Sequence, residues 1–436
     1  MDEREDNDLD YHLNDPEEIK QMILNNNRKK TIITWISIVL FVMLIGVIIT
    51  FVIIFIIKDD KKNVNEEKKN ANKNENNTNI KFNFTSQFNI TYGEDKIENT
   101  FKLNGANYNK KLEKINNGED YTRNSNRNIY DLFIPNNLDK NKYNKILLLI
   151  HGGGWIMGDK SFLTPICISL ANQGYITASM THTFLNDPNN NPSIFRILDE
   201  VTSVIKSIKK NLKNKGFNET KLELAIGGSS SGAHIALLYA YSYKNSPMKI
   251  KFVINMVAPV TLESKYYYIT KNPNEPLDKI DEDSIKEYEK ENKIEPMKNS
   301  SLLAVFINLF LGYKKNDSLE QMLKPTDKNE IDTESQRYKE LLEKVQLAFP
   351  VTYVDKNTLP TICLYTGKDT VIGIKHYSYL KSKFDKAENK NISLIYLKGL
   401  PHEMYVPGSQ EYLEGQKKLF GLISNYSSTY FTQNNK

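Results

Sequence analysis

A serine hydroxyl attacks a carbonyl only when a base takes its proton and a third group holds that base. Three separated stretches of this chain carry residues of those types. The first is Gly227-Gly228-Ser229-Ser230-Ser231-Gly232-Ala233-His234, which follows an apolar run at 222–226 and opens an amphipathic run at 233–243. That pattern reads as strand, sharp turn and helix. Within it Gly228, Ser230 and Gly232 fit G-x-S-x-G, the turn that exposes a strained serine. Of the three consecutive serines, only Ser230 has glycine at both the second position before and the second after.

The second stretch is Tyr365-Thr366-Gly367-Lys368-Asp369, just past an apolar run that begins at Thr361, and the third is Gly399-Leu400-Pro401-His402, after the run 392–397. Hydrolases built on this turn place serine, acid and histidine in that chain order. Of the six histidines, His12, His151 and His182 precede the serine. His234 lies on the helix that follows it, and His376 falls within a predicted helix. His402 is therefore the candidate base and Asp369 the candidate acid. Their bland readings are a loop histidine and a helix N-cap.

Attack on an ester builds an oxyanion, which needs backbone N–H donors already aimed at its position. His151-Gly152-Gly153-Gly154-Trp155 ends a continuous apolar strand, 145–150. Glycine lets the backbone approach such an oxygen with no Cβ in the way. The expected donors are the amides of Gly153 and Gly154, joined by that of Ser231. His151 is expected to brace the loop. Gly152, Gly228 and Gly232 are expected to serve the tight geometry.

The elements that must position these groups alternate. An edge strand or hairpin is expected over 81–92, a polar loop over 104–128, and strands at 129–134, 145–150, 175–180, 222–226, 250–257, 361–366 and 392–397. Helices are expected at 161–172, 193–212, 233–243, 373–384 and 410–423. Such alternation predicts a mostly parallel sheet with helices on both faces, which binds ligands beyond the carboxyl ends of its strands. The stretch 261–350 breaks the rhythm. It is charged and helical-looking with no strand signal, an insertion at the place where hydrolases of the type this chain resembles carry a cap. Its most apolar part, 301–312, is read as a cap helix burying its own face, against a lid wall facing an acyl chain or the membrane.

The N-terminal part differs in kind. Residues 1–30 are polar and mostly acidic; 31–57 are 27 uncharged residues; 58–79 are a Lys/Asn/Glu linker. A bilayer core takes about 20 helical residues, so 31–57 predicts one uncleaved transmembrane helix, and 80–436 is the catalytic domain. In the 20-residue flanks, four basic residues precede the span and six follow it, which opposes an N-inside orientation. Eight Asn-x-Ser/Thr triplets, at Asn76, Asn83, Asn89, Asn218, Asn299, Asn316, Asn391 and Asn425, favour it weakly in so Asn-rich a chain. The expectation is a lumenal or extracellular catalytic domain. Formal charge is +5 and spread among mixed tracts, so nucleic acid is not an implied partner. Cys167 and Cys363 lie in apolar runs and read as core. No metal or other cofactor is implied.

With these residues in view, the chain resembles the α/β-hydrolase superfamily. It is most similar to the HGGG-type carboxylesterases, a group spanning hormone-sensitive-lipase-like esterases, bacterial feruloyl-esterase-like domains, kynurenine-formamidase-like enzymes and isoprenylcysteine methylesterases. The matching text is Tyr130-Asp131-Leu132-Phe133-Ile134-Pro135, Ile150-His151-Gly152-Gly153-Gly154-Trp155-Ile156-Met157-Gly158-Asp159-Lys160, the Ser230 turn and Gly367-Lys368-Asp369. Serines flank the nucleophile where such enzymes usually carry an acidic or bulky residue before it and alanine after it. The acid segment lacks an Asp-Pro form, which favours the feruloyl-esterase-like branch. The resemblance implies an α/β-hydrolase fold and a serine hydrolase cleaving a carboxylic ester through an acyl-enzyme; a small or medium acyl group is expected, and the anchor brings in lipid-derived ones. Two alternatives stand beside it: an amide hydrolase, formamidase- or peptidase-like, and a catalytically silent binding protein on the same fold.

Overall fold

Strand Asn144–Ile150 shows how the fold is built. Its alternate side chains Ile146, Leu148 and Ile150 enter one hydrophobic core, while Leu147 and Leu149 enter another on the opposite face. A strand buried on both faces reads as a continuous apolar run, and that is why it was legible. The computed structural model describes residues 84–433 with gaps, chiefly 98–120, 188–191 and much of 263–333. The segments 1–30, 31–57 and 58–79, with the expected membrane helix, lie outside the described residues. Among the described residues no helix is long and apolar enough to cross a membrane.

Eight strands form the main sheet: β1 (Phe84–Thr91), β2 (Ile129–Pro135), β3 (Asn144–Ile150), β4 (Ile176–Met180), β5 (Leu222–Ser229), β6 (Lys249–Met256), β7 (Thr361–Thr366) and β8 (Ile392–Leu397). Their spatial order is β1-β2-β4-β3-β5-β6-β7-β8. β2 runs antiparallel to both β1 and β4, and every other pairing is parallel. One face carries α2 (Ile194–Asn214), α3 (Ser231–Ser242) and α5 (Lys375–Lys386), the other α1 (Thr164–Ala171) and α6 (Gln410–Tyr430). A short helix, α4 (Gln336–Val345), buries Leu341 and Val345 in the first of these cores.

Several boundaries differ from the sequence reading. The helix expected from Ser161 begins as a 3-10 turn, Lys160–Leu163, whose N-cap Asp159 accepts from the Ser161 amide. The α-helix starts only at Thr164, with Pro165 in its first turn, where the missing N–H costs nothing. Helix α6 runs to Tyr430 and not to Ile423, because Tyr426 stacks edge-on against Phe252 and Tyr430 against Tyr426. The Ser/Asn/Thr-rich sequence there hid that packing. Both stretches expected to lack strands carry two-residue ladders: Tyr121–Thr122 with Lys96–Ile97, and Tyr268–Ile269 with Glu295–Pro296. Such short pairings have no periodicity to read. In the apolar part of the expected cap, Ile307, Phe310 and Leu311 are buried.

Candidate active site

Ser230 sits where β5 turns into α3. Its backbone is at φ 53°, ψ −121°, a sparsely populated conformation for a residue with a side chain. Close approach explains the glycines around it. A Cβ on Gly228 would lie 2.4 Å from the Ile150 carbonyl oxygen, and one on Gly232 only 2.1 Å from the same atom. The turn thus packs directly against the end of β3, where the glycine run begins. The Ser230 amide donates to the Met256 carbonyl at 2.8 Å, which ties the turn to β6.

The structure brings Ser230, His402 and Asp369 together. Ser230 Oγ lies 3.0 Å from His402 Nε2, and His402 Nδ1 lies 2.6 Å from Asp369 Oδ2. In this arrangement Nδ1–H donates to the carboxylate and Nε2 accepts from the serine hydroxyl. Asp369 does two jobs at once. Its other oxygen, Oδ1, accepts from the amides of Val371 and Ile372 at 2.8 and 2.6 Å. The helix N-cap reading of this residue is not what the structure shows: α5 begins at Lys375 with Ile374 as its N-cap, and Asp369 secures the turn before it, which aims Oδ2 at the imidazole. Burial of His402 disfavours its charged form, but the hydrogen bond and charge of Asp369, with a smaller contribution from Glu403, outweigh burial and raise its pKa above the ordinary histidine value.

The glycine loop faces the same point. A Cβ on Gly152 would stand 3.2 Å from the Ser230 Cβ. Gly153 and Gly154 adopt φ 127° and 60°. At Gly153 a Cβ would meet the Met157 carbonyl oxygen at 2.2 Å, so only glycine fits. The Gly153 carbonyl is turned back to accept from Ile156 and Met157 at 3.2 and 3.0 Å. Ser231 opens α3, where the first amides have no partner within the helix. Non-glycine residues at positive φ recur around the site: Trp155, Ser230, Val257 and Met404, at 64°, 53°, 52° and 58°. They lie on the loops after β3, β5, β6 and β8. Each costs about 1–3 kcal/mol, and such strain concentrates at functional sites.

His151 braces the loop and is held in turn by the guanidinium of Arg127, a residue of the expected polar loop 104–128 that belongs to no motif. Arg127 Nη2 donates to His151 Nε2 at 3.2 Å and to the Gly158 carbonyl at 2.9 Å; its Nε donates to the His182 carbonyl at 3.1 Å. The group lies 4.0 Å from the Phe184 ring centroid. His151 Nδ1–H then donates to the Gly152 carbonyl at 2.7 Å, and His182 stacks on His151 with centroids 4.7 Å apart. Burial, His182 and Arg127 push the His151 pKa well below its usual value, so the brace is neutral. The one signal in the sequence was an arginine in a run of Asn and Ser. Arg127→Met is expected to lower kcat on p-nitrophenyl acetate by about ten-fold or more through loop misplacement. Arg127→Lys is expected to recover little, since an ammonium cannot span these acceptors. Steady-state kinetics on the two variants checks this.

Cys167 and Cys363 are buried, and burial pushes both thiols up to about 12, consistent with a packing role. Among the described residues no group of three or more His, Cys, Asp or Glu could hold a metal ion.

Sheet order and the strand–turn–helix at Ser230 are those of an α/β-hydrolase fold. A model of the BD-FAE family matches residues 130–384, more than half of the chain, and the chain belongs to that family; it is a carboxylic ester hydrolase. No curated protein matches it. Among solved structures, it is similar to a truncated carbohydrate esterase from gut microbiota, at 15% identity and TM-score 0.48, over 80% of this chain and 99% of that one. It is also similar to butyrate-bound esterase Est2 of the planctomycete Thermogutta terrifontis, at 14% identity and TM-score 0.45, over 71% and 92%.

Proposed function

We propose that this protein is a membrane-anchored serine esterase acting on a small or medium carboxylic ester, including lipid-derived ones. The observation that supports it most is the Ser230–His402–Asp369 relay, with contacts of 3.0 and 2.6 Å, opening onto the glycine loop. Ser230 Oγ attacks the ester carbonyl carbon while His402 Nε2 takes the hydroxyl proton. Asp369 stabilises the imidazolium through Nδ1–H. The amides of Gly153, Gly154 and Ser231 receive the oxyanion. Collapse of the tetrahedral adduct breaks the C–O bond, and His402 returns the proton to the departing alkoxide. Water, deprotonated by the same imidazole, then hydrolyses the acyl-enzyme and regenerates Ser230.

The same relay serves an amide, and leaving-group chemistry separates the two. The expected result is a burst of p-nitrophenol from p-nitrophenyl esters, equal to the enzyme concentration, with turnover at least about 100-fold faster than on matched p-nitroanilides and formanilides. Faster turnover of the anilides overturns the ester assignment.

The anchor rests on the 27 uncharged residues 31–57, enough to cross a bilayer core of ~30 Å. The 22-residue linker 58–79 then tethers the catalytic domain on the lumenal or extracellular side. Full-length protein is expected to stay in the membrane pellet after alkaline carbonate washing. Recovery in the supernatant removes the anchor.

A further inference from the structure

Three chain segments meet beside the glycine loop. Trp155 directly follows Gly154. His234 lies on the first turn of α3, and its amide donates to the Ser230 carbonyl at 3.0 Å. Phe310 comes from the segment between β6 and β7 and is fully buried. Ring centroids are 4.8 Å apart for Trp155 and Phe310, 5.3 Å for Trp155 and His234, and 5.5 Å for His234 and Phe310.

The polar contacts run in one direction. Trp155 Nε1–H donates to His234 Nδ1 at 3.2 Å, so that nitrogen carries no proton. His234 Nε2–H therefore donates to the Ala348 carbonyl at 2.9 Å, near the far end of the same β6–β7 segment. The near end is held in a similar way, with the Val260 amide donating to His376 Nδ1 at 3.2 Å. Burial pushes His234 down to about 4 and His376 down to about 3, so both rings are neutral at ordinary pH and both acceptors persist.

Trp155 is itself strained, at φ 64°. A bulky residue holds that conformation only where its surroundings impose it. Here the indole is fixed by His234 and Phe310, and the Trp155 carbonyl by the Leu185 amide at 3.0 Å. Loosening the indole removes one of these constraints from the residue next to Gly154, whose amide the proposed mechanism assigns to the oxyanion.

We propose that His234 is a positioning residue that couples the seating of the β6–β7 segment to the oxyanion loop. Contacts with Ala348 and Phe310 on one side set the indole of Trp155 on the other, and the indole sets the Gly153 and Gly154 amides. The coupling rests on the ester-hydrolase reading of the site. It makes buried residues of the β6–β7 segment determinants of kcat, even for an acyl group too small to reach them.

The test uses the full-length protein, with active sites titrated by a fluorophosphonate and turnover measured on p-nitrophenyl acetate. Trp155→Phe keeps an aromatic ring and removes the N–H together with the pyrrole half of the indole. It is expected to lower kcat per titrated site about 10- to 100-fold, the range for a misplacement near 1 Å, with KM within about two-fold of wild type. Phe310→Leu, which leaves the Trp155 N–H in place, is expected to show a smaller loss of the same kind. His234→Leu should match or exceed Trp155→Phe. His234→Gln, which offers an acceptor and a donor at similar reach, should recover most of the rate. Lowered Tm with unchanged kcat per titrated site in both Trp155→Phe and Phe310→Leu overturns the coupling and leaves the esterase reading intact. A wild type that neither titrates nor turns over overturns the esterase reading and the coupling with it.

Discussion

Ser230→Ala is expected to lower turnover of p-nitrophenyl esters by about 10⁴- to 10⁶-fold, the range for removing a nucleophile that acts as a unit with its base. Ser229→Ala and Ser231→Ala are expected to retain a measurable fraction. The reason lies in where each serine stands. Ser230 alone is at φ 53°, with Oγ 3.0 Å from His402 Nε2. Ser229 is the last residue of β5 and pairs with Met256 in the sheet. Ser231 opens α3 with its hydroxyl buried and without a hydrogen-bond partner among the described residues, and alanine there keeps the backbone amide. Equal losses at all three positions would contradict the assignment of Ser230.

Asp369→Asn is expected to cost about 10⁴-fold in kcat, with little loss of folding. The asparagine Oδ1 can still accept from the Val371 and Ile372 amides, so the turn survives. Its Nδ2 then faces His402 Nδ1, and a donor there demands an acceptor. The imidazole switches tautomer, places its proton on Nε2, and cannot take the proton of Ser230. The pH profile carries a second signature. Turnover needs neutral His402, so the rate is lost as pH falls through the His402 pKa, and in wild type Asp369 raises that value. In Asp369→Asn the carboxylate charge is gone, and the acid limb of the residual kcat/KM is expected to move to lower pH. An acid limb that stays in place would show that another group controls it.

The frame of the site was legible because its strands are buried on both faces. Runs such as 145–150 and 361–366 could be little else in a chain otherwise so rich in Asn and Lys. The candidate residues were legible because a nucleophile on a tight turn imposes glycine at fixed offsets. The steric reason is now explicit, in the Ile150 carbonyl that a Cβ on Gly228 or Gly232 would strike. What could not be read was support from afar. Arg127 reaches His151 across 24 residues of sequence, and His234 reaches Ala348 across 114. Neither contact leaves a local pattern, because each depends on where the chain returns. Asp369 is not the N-cap of α5: its Oδ1 secures the turn at Val371 and Ile372, short of that helix, and its Oδ2 meets His402.

The most direct test of the whole assignment is labelling of the folded full-length protein with a fluorophosphonate, followed by mass analysis of the modified peptide. The expected result is one adduct per chain, on Ser230, formed in wild type and absent in Ser230→Ala. Failure of the folded protein to label, or an adduct on a different residue, would contradict the proposal that Ser230 is an activated nucleophile.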